Sequence, residues 1–295
     1  MKALPVLVAA CLAMGAAFAQ APKPAEQAAC EQAREGATAI EDAGLQAAYA
    51  NCLIMGALRE RDALPHAREL ARASMKQGSA IGAFALYAAY SADPAYSYIK
   101  GGKPDMAKYA ALGALPMESR KLQIEALEAL EFAASKAYPR ATQALAAYYF
   151  ETVAPDNVKR VLDFTGALAT HGDRPPVMAQ LHKQAEKVAA VGKTKVSVRA
   201  FADAQRTATQ LAQAIYEKSG GACNAMKLAS LESGEIDGAV FLPLEAPALK
   251  ESYLVKGSWD ETWRFTGCNR EARVNMHFAA DGWGGATFEA KAIRP

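Results

Sequence analysis

Histidine is scarce in this 295-residue chain: four, at 66, 171, 182 and 277. They stand far apart, and none has the H-E-x-x-H spacing that puts two imidazoles on one helix face around a metal. A G-x-S-x-G elbow, a phosphate loop and a dinucleotide fingerprint are also missing, which removes the usual marks of acyl transfer and nucleotide chemistry. No metal, cofactor or catalytic residue is expected. An excess of one charge is lacking as well. Lys and Arg total 33 against 31 Asp and Glu, a net +2, so nothing argues for a nucleic-acid surface. Beyond the N-terminus no apolar run is long enough to cross a bilayer.

The start of the chain reads as an address. Lys2, an apolar run over 3–17 and the small-x-small triplet Ala17-Phe18-Ala19 predict a secretory signal cleaved after Ala19. It is of the bacterial kind, so a periplasmic or secreted protein is expected. The competing lipoprotein site, Val8-Ala9-Ala10-Cys11, leaves an apolar run of only about eight residues and is set aside. Cleavage after Ala19 removes Cys11 and leaves Cys30, Cys52, Cys223 and Cys268. An even count in an oxidising compartment favours two disulfides, of three possible connectivities. The local one is expected, Cys30–Cys52 and Cys223–Cys268. The first pair lies eleven residues either side of Glu41, so an antiparallel helix hairpin centred there brings the two level.

Apolar residues at spacings of three and four dominate up to residue 218. Helices are expected at 25–36, 43–58 and 64–76 (Asp62 a candidate cap), then after Gly78 until Pro94. A short one follows at 105–113. The central pair lies within 119–151, with Ser119 as candidate N-cap, and three more helices fall at 155–170, 174–192 and 196–218. Gly101-Gly102, Lys103-Pro104 and Pro116 mark 92–119 as an irregular insertion. Tyr96, Tyr98 and Tyr109 fall there and are candidate partner-binding residues; the same rings could instead cover helix ends.

In the central pair, Ala126-Leu127, Ala133-Ala134, Ala137, Ala141, Leu145, Ala146 and Tyr149 resemble the Sel-one-like repeat, a relative of the tetratricopeptide repeat. The chain departs from that pattern at Ala137 and Ala146, where the family prefers glycine, and at Ala129, where it has an aromatic. A weaker copy lies upstream at Gly78, Leu86 and Tyr90, with Gly82 in an alanine slot. The turn positions Gly78 and Ala137 are 59 residues apart, which requires the insertion. The resemblance implies helix pairs stacked into a solenoid that binds other proteins.

From residue 222 the period changes to two. Trp263 and Phe265, then Val274, Met276 and Phe278, then Phe288 and Ala290 alternate with polar neighbours, as half-buried strands do. Further strands are expected at 252–256 and 239–242, with a hairpin at Asp281-Gly282 and Gly284-Gly285. The fold class is thus α+β: a helical repeat domain over 20–220 and a small antiparallel β domain over 221–295, divided at Gly220-Gly221. Glu232, Glu235 and Asp237 form an acidic cluster without a known calcium-loop spacing. Trp259, after Gly257-Ser258, and Trp283, at a hairpin tip, are candidate exposed platforms for a partner.

Two roles follow. The first is a periplasmic protein–protein interaction protein, with an inhibitor or immunity-type protein of a cell-wall enzyme as the alternative within that class. The second is a polysaccharide-acting enzyme, which needs two carboxylates across a groove; Glu261, Asp260, Glu289 and Asp281 are the residues it would recruit.

Overall fold

The computed structural model describes residues 24–39, 42–100, 103–170, 172, 175–218, 223 and 225–293. The expected signal segment 1–19 with Cys11, His171 and the expected boundary at Gly220-Gly221 lie outside them. The described chain is α+β and forms two compact units.

The helical unit runs to Leu145 and includes Leu244–Lys250. It holds α1 (Pro24–Ala39), α2 (Ala43–Ile54), α3 (Ala63–Lys76) and α4 (Ala80–Ser91), the short pair β1 (Ile99–Lys100) and β2 (Lys103–Pro104), α5 (Met106–Gly113), α6 (Lys121–Ser135) and the start of α7 (Pro139–Glu151). Helices α1 to α4 pack each on the next, α4 also packs on α6, and α2 touches α4. Alanine makes this possible. Ala47, Ala50, Ala67, Ala71, Ala83, Ala85 and Ala89 are all fully buried, and small side chains let helix axes approach closely.

Caps fix several helix starts. Asp42 accepts from Leu45 N at 2.8 Å, Ser79 from Gly82 N at 3.1 Å and Asp105 from Lys108 N at 3.0 Å. Two expected caps are corrected. Asp62 makes no capping bond, and Ser119 lies inside a 3-10 turn, Met117–Arg120, that leads directly into α6. The buried Arg120 instead donates to Gly113 O (2.9 Å) and Leu115 O (3.3 Å). It satisfies carbonyls that the end of α5 leaves over. Cys30 and Cys52 are bonded at 2.06 Å and join α1 to α2. A loop of 22 residues is worth about 3 kcal/mol in the chain-entropy treatment.

The two corresponding turn positions share a backbone state: Gly78 has φ +88° and Ala137 has φ +57°. Ala137 N donates to Ala134 O at 2.8 Å and Tyr138 N to Ala133 O at 3.1 Å, closing α6. Left-handed backbone costs a residue with a Cβ about 1–2 kcal/mol. Ala137→Gly is therefore expected to raise stability by about 1 kcal/mol, read as a higher urea midpoint; a lower midpoint would contradict the strain. Gly82 departs from the repeat pattern for a local reason. A Cβ there would lie 2.3 Å from Ser74 Oγ, which is fixed by its bond to Ala43 O (2.6 Å).

The mixed unit spans Ala146–Pro243 and Glu251–Pro295. It contains α8 (Asn157–Thr170), α9 (Pro176–Ala189) and α10 (Val198–Lys218), then β3 (Lys227–Ser233), β4 (Asp237–Phe241), β5 (Leu254–Gly267), β6 (Arg270–Ala280) and β7 (Ala286–Ala292). All pairings are antiparallel, in the order β3-β5-β6-β7, with β4 pairing β5 as well. The three helices expected in the first domain thus group with the sheet. The reason is α10, whose Phe201, Ala204, Ala208 and Ala212 are buried where the helix packs on the strands. The sheet obtains its core from that helix. A module of about 74 residues alone would have had a marginal one.

Candidate functional site

Strand β5 carries the site. Its inward face reads Trp259, Glu261, Trp263, Phe265, all buried, opposite Phe278, Met276, Val274 and Ala272 of β6. A carboxylate between two tryptophans on the inner face of a central strand is costly to bury unless hydrogen-bonded throughout. Here it is. Trp259 Nε1 donates to Glu261 Oε1 at 3.1 Å and Trp263 Nε1 to Oε2 at 2.9 Å. Thr194 Oγ1 (2.8 Å), Lys195 N (3.2 Å) and Ser233 Oγ (3.2 Å) also donate to Oε1. Five donors around one side chain suit a group that only accepts.

The network fastens the loop between α9 and α10 to the sheet. Leu231 N donates to Val191 O at 2.9 Å. Gly192, at φ +138°, lies so close that a Cβ would be 2.7 Å from Leu231 O. Buried Asn157 donates to Val196 O at 2.8 Å, and Ser197 accepts from Ala200 N at 3.1 Å as the cap of α10.

Beside this network is a cleft of about 730 Å³. The loop contributes Lys193, Thr194 and Lys195; the sheet contributes Leu231, Ser233, Ala239 and Phe241, and the β3–β4 connection Ile236. Three carboxylates line it, Glu232, Glu235 and Glu251, all exposed. Glu251 has φ +55°. Lys195 Nζ donates to Gly234 O and, at 3.3 Å, to Ser233 Oγ.

Of the sequence candidates, Trp259 is corrected: it is 2% exposed, stacks on Phe278 at 5.2 Å and belongs to the core. Trp283 is half-buried in the β6–β7 hairpin, where Asp281 Oδ1 accepts from Trp283 N (2.8 Å) and Gly285 N (3.0 Å). Tyr98 is buried against Tyr109 (5.0 Å), and half-buried Tyr96 packs on Tyr90 (5.0 Å). These rings pack on one another over the insertion. The four carboxylates proposed for polysaccharide chemistry divide between three places, with Asp260 and Glu289 on either side of His277 on the outer face. Glu261 points inward, Asp260 pairs with His277 on the outer face (3.1 Å), Asp281 holds the hairpin, and Glu289 is exposed. Two of the cleft's carboxylates, Glu232 and Glu235, come from the acidic cluster that lacks a calcium-loop spacing; its third member, Asp237, begins β4.

A second titratable group of note is Glu151, at the end of α7. Burial pushes its carboxyl up to about 7, with Arg199 pulling the other way. The folded value exceeds the unfolded one, so the native state binds a proton that the unfolded chain releases. Stability then falls as pH rises from about 4.5 to 7, by about 3 kcal/mol. Glu151→Gln should flatten that window and leave the variant the more stable at pH 8, checked by urea midpoints at pH 5 and 8; parallel pH profiles would sink it. In the helical unit, Glu60 accepts from Tyr49 Oη and meets His66 Nδ1 at 2.7 Å. Burial, then the bond to Glu60 and its charge, pushes the Tyr49 phenol up to about 12. Burial alone would raise Glu60, but the bonds from Tyr49 and His66 hold it lower. Among the described residues no group of three His, Cys, Asp or Glu could hold a metal, and no helix is long and apolar enough to cross a membrane.

No family model, curated protein or solved structure matches the chain.

Proposed function

We propose that the chain is an exported, periplasmic protein that binds another protein through its helical unit, without catalysing a reaction of its own. The observation that carries the reading is the shared left-handed turn at Gly78 and Ala137. The repeat resemblance aligns these two positions, and the family pattern places a glycine there. The sequential packing of α1 to α4 and the buried alanines support paired, stacked helices of the Sel-one-like kind. Two disulfides at bonding distance support an oxidising compartment.

Met55 and Ile81 are 58% and 46% exposed on the helical unit. Because they are exposed, changing them spares the core. Residues 20–295, immobilised, should capture a discrete protein from periplasmic extract, and Met55→Glu with Ile81→Glu should reduce that capture about tenfold, a loss of about 1.4 kcal/mol, with circular dichroism unchanged. Undiminished capture by the double variant would move the docking site elsewhere. N-terminal sequencing of the periplasmic form should begin at Gln20.

A further inference from the structure

The cleft in the mixed unit has an uncovered strand along it. Among the described residues β4 pairs only with β5. Its residues 237–240 are exposed, including apolar Val240 at 41%. β3, on the same side of β5, differs: Leu231 bonds to Val191 of the α9–α10 loop, which takes the place of a neighbouring strand. Past Val191 the loop turns into the Glu261 network, and β4 is left with the cleft beside it, lined by its Ala239 and Phe241. An uncovered edge offers backbone N–H and C=O groups to a further strand. Extended peptides use such edges, with main-chain bonds for affinity and alternate side chains for selectivity.

Charge decides what kind of peptide fits. Glu232, Glu235 and Glu251 line the cleft against Lys193 and Lys195, three carboxylates to two ammonium groups, and Lys195 Nζ keeps its charge while it donates to the neutral Gly234 O and Ser233 Oγ. The balance is negative. Glu251 also holds left-handed backbone that a glycine would adopt freely. The geometry points to one occupant: an extended segment of a partner protein, basic side chains alternating with apolar ones, added as a strand to β4 with its Lys or Arg against these glutamates. This rests on reading the chain as protein-binding, but on residues separate from those of the helical unit.

The test uses residues 20–295 and a capped heptapeptide, Val-Lys-Val-Lys-Val-Lys-Val, followed by calorimetry at low salt. The glutamate-for-lysine counterpart should bind at least about tenfold more weakly, and so should the lysine peptide N-methylated at every residue, which keeps its side chains but has no amide N–H left to pair as a strand. Glu235→Gln with Glu251→Gln should weaken the lysine peptide about tenfold. Glu251→Gly should weaken it while raising the melting temperature by about 2 °C, a combination a purely structural glutamate would not give. Equal binding of the two charge forms, full binding of the N-methylated peptide, no binding of the lysine peptide at millimolar concentration, or occupation of the cleft by a chito-oligosaccharide instead would each overturn the proposal. Such a failure leaves the capture experiment with Met55 and Ile81 unaffected, so the two readings fall separately.

Discussion

Glu261→Ala will lower the stability of the mixed unit by about 3–5 kcal/mol, the cost of leaving buried donors without an acceptor. Five groups aim protons at this carboxylate, and the two indole N–H groups belong to fully enclosed side chains. Thr194, Lys195 and Ser233 border the cleft, where water can replace part of what is lost, and this holds the estimate below the sum over five donors. Glu261→Gln is the sharper variant. It keeps the volume but turns one oxygen into an N–H donor, set against groups that also donate, so a loss of about 2–3 kcal/mol is expected. Trp259 and Trp263 report the transition directly, because their emission should shift red as urea exposes them. Midpoints within about 1 kcal/mol of the parent for both variants would show that the network is dispensable.

Removing the second disulfide should rank next. Cys223 and Cys268 are bonded at 2.15 Å across 45 residues, and closing a loop of that length is worth about 4 kcal/mol in the chain-entropy treatment. Cys268 also occupies a demanding position. With Asn269 it forms the two-residue β5–β6 turn, at φ +51° and +59°, the conformation of a type I′ hairpin. Asn tolerates that state and a residue like Cys ordinarily does not. The double variant Cys223→Ser, Cys268→Ser therefore loses the cross-link and keeps the strained turn. Its denaturation midpoint, compared with that of the oxidised parent, should fall accordingly. The same double variant under reducing conditions should match the reduced parent; a gap between those two would assign the loss to something other than the bond.

Much of the helical unit was legible because its signals are local. Gly78, Pro94 and Pro139 stop or start helices through their own backbone chemistry, and the alanine spacing of 121–149 survives in the buried set Ala126, Leu127, Leu130, Ala133, Ala141, Leu145 and Tyr149. The hairpin symmetry about residue 41 gave the first disulfide for the same reason. The strands were legible only where their period was intact. β3 was missed because a register shift between Leu228 and Ser230 puts Leu228 and Leu231 both inside, a spacing of three that mimics a helix. Trp259 reads locally as an exposed platform because it follows Gly257-Ser258. The alternation of Trp263 and Phe265 carried back two and four residues would have placed Glu261 and Trp259 inside together. An acidic residue on the inner face between two tryptophans was the available signal of the site.

By itself, the sequence determined the α+β class, the helix positions, the alternating core of β5 and β6 and the two cysteine pairings. Those properties depend on neighbours along the chain, on periods of 3.6 and 2, and on ring and Cβ sterics. Tertiary structure alone decided that α8 to α10 serve the sheet, that loop 191–197 is fastened to Glu261, and that Glu232, Glu235 and Glu251 meet at one cleft. These juxtapose residues tens of positions apart, and no local period records which distant donor satisfies a buried carboxylate.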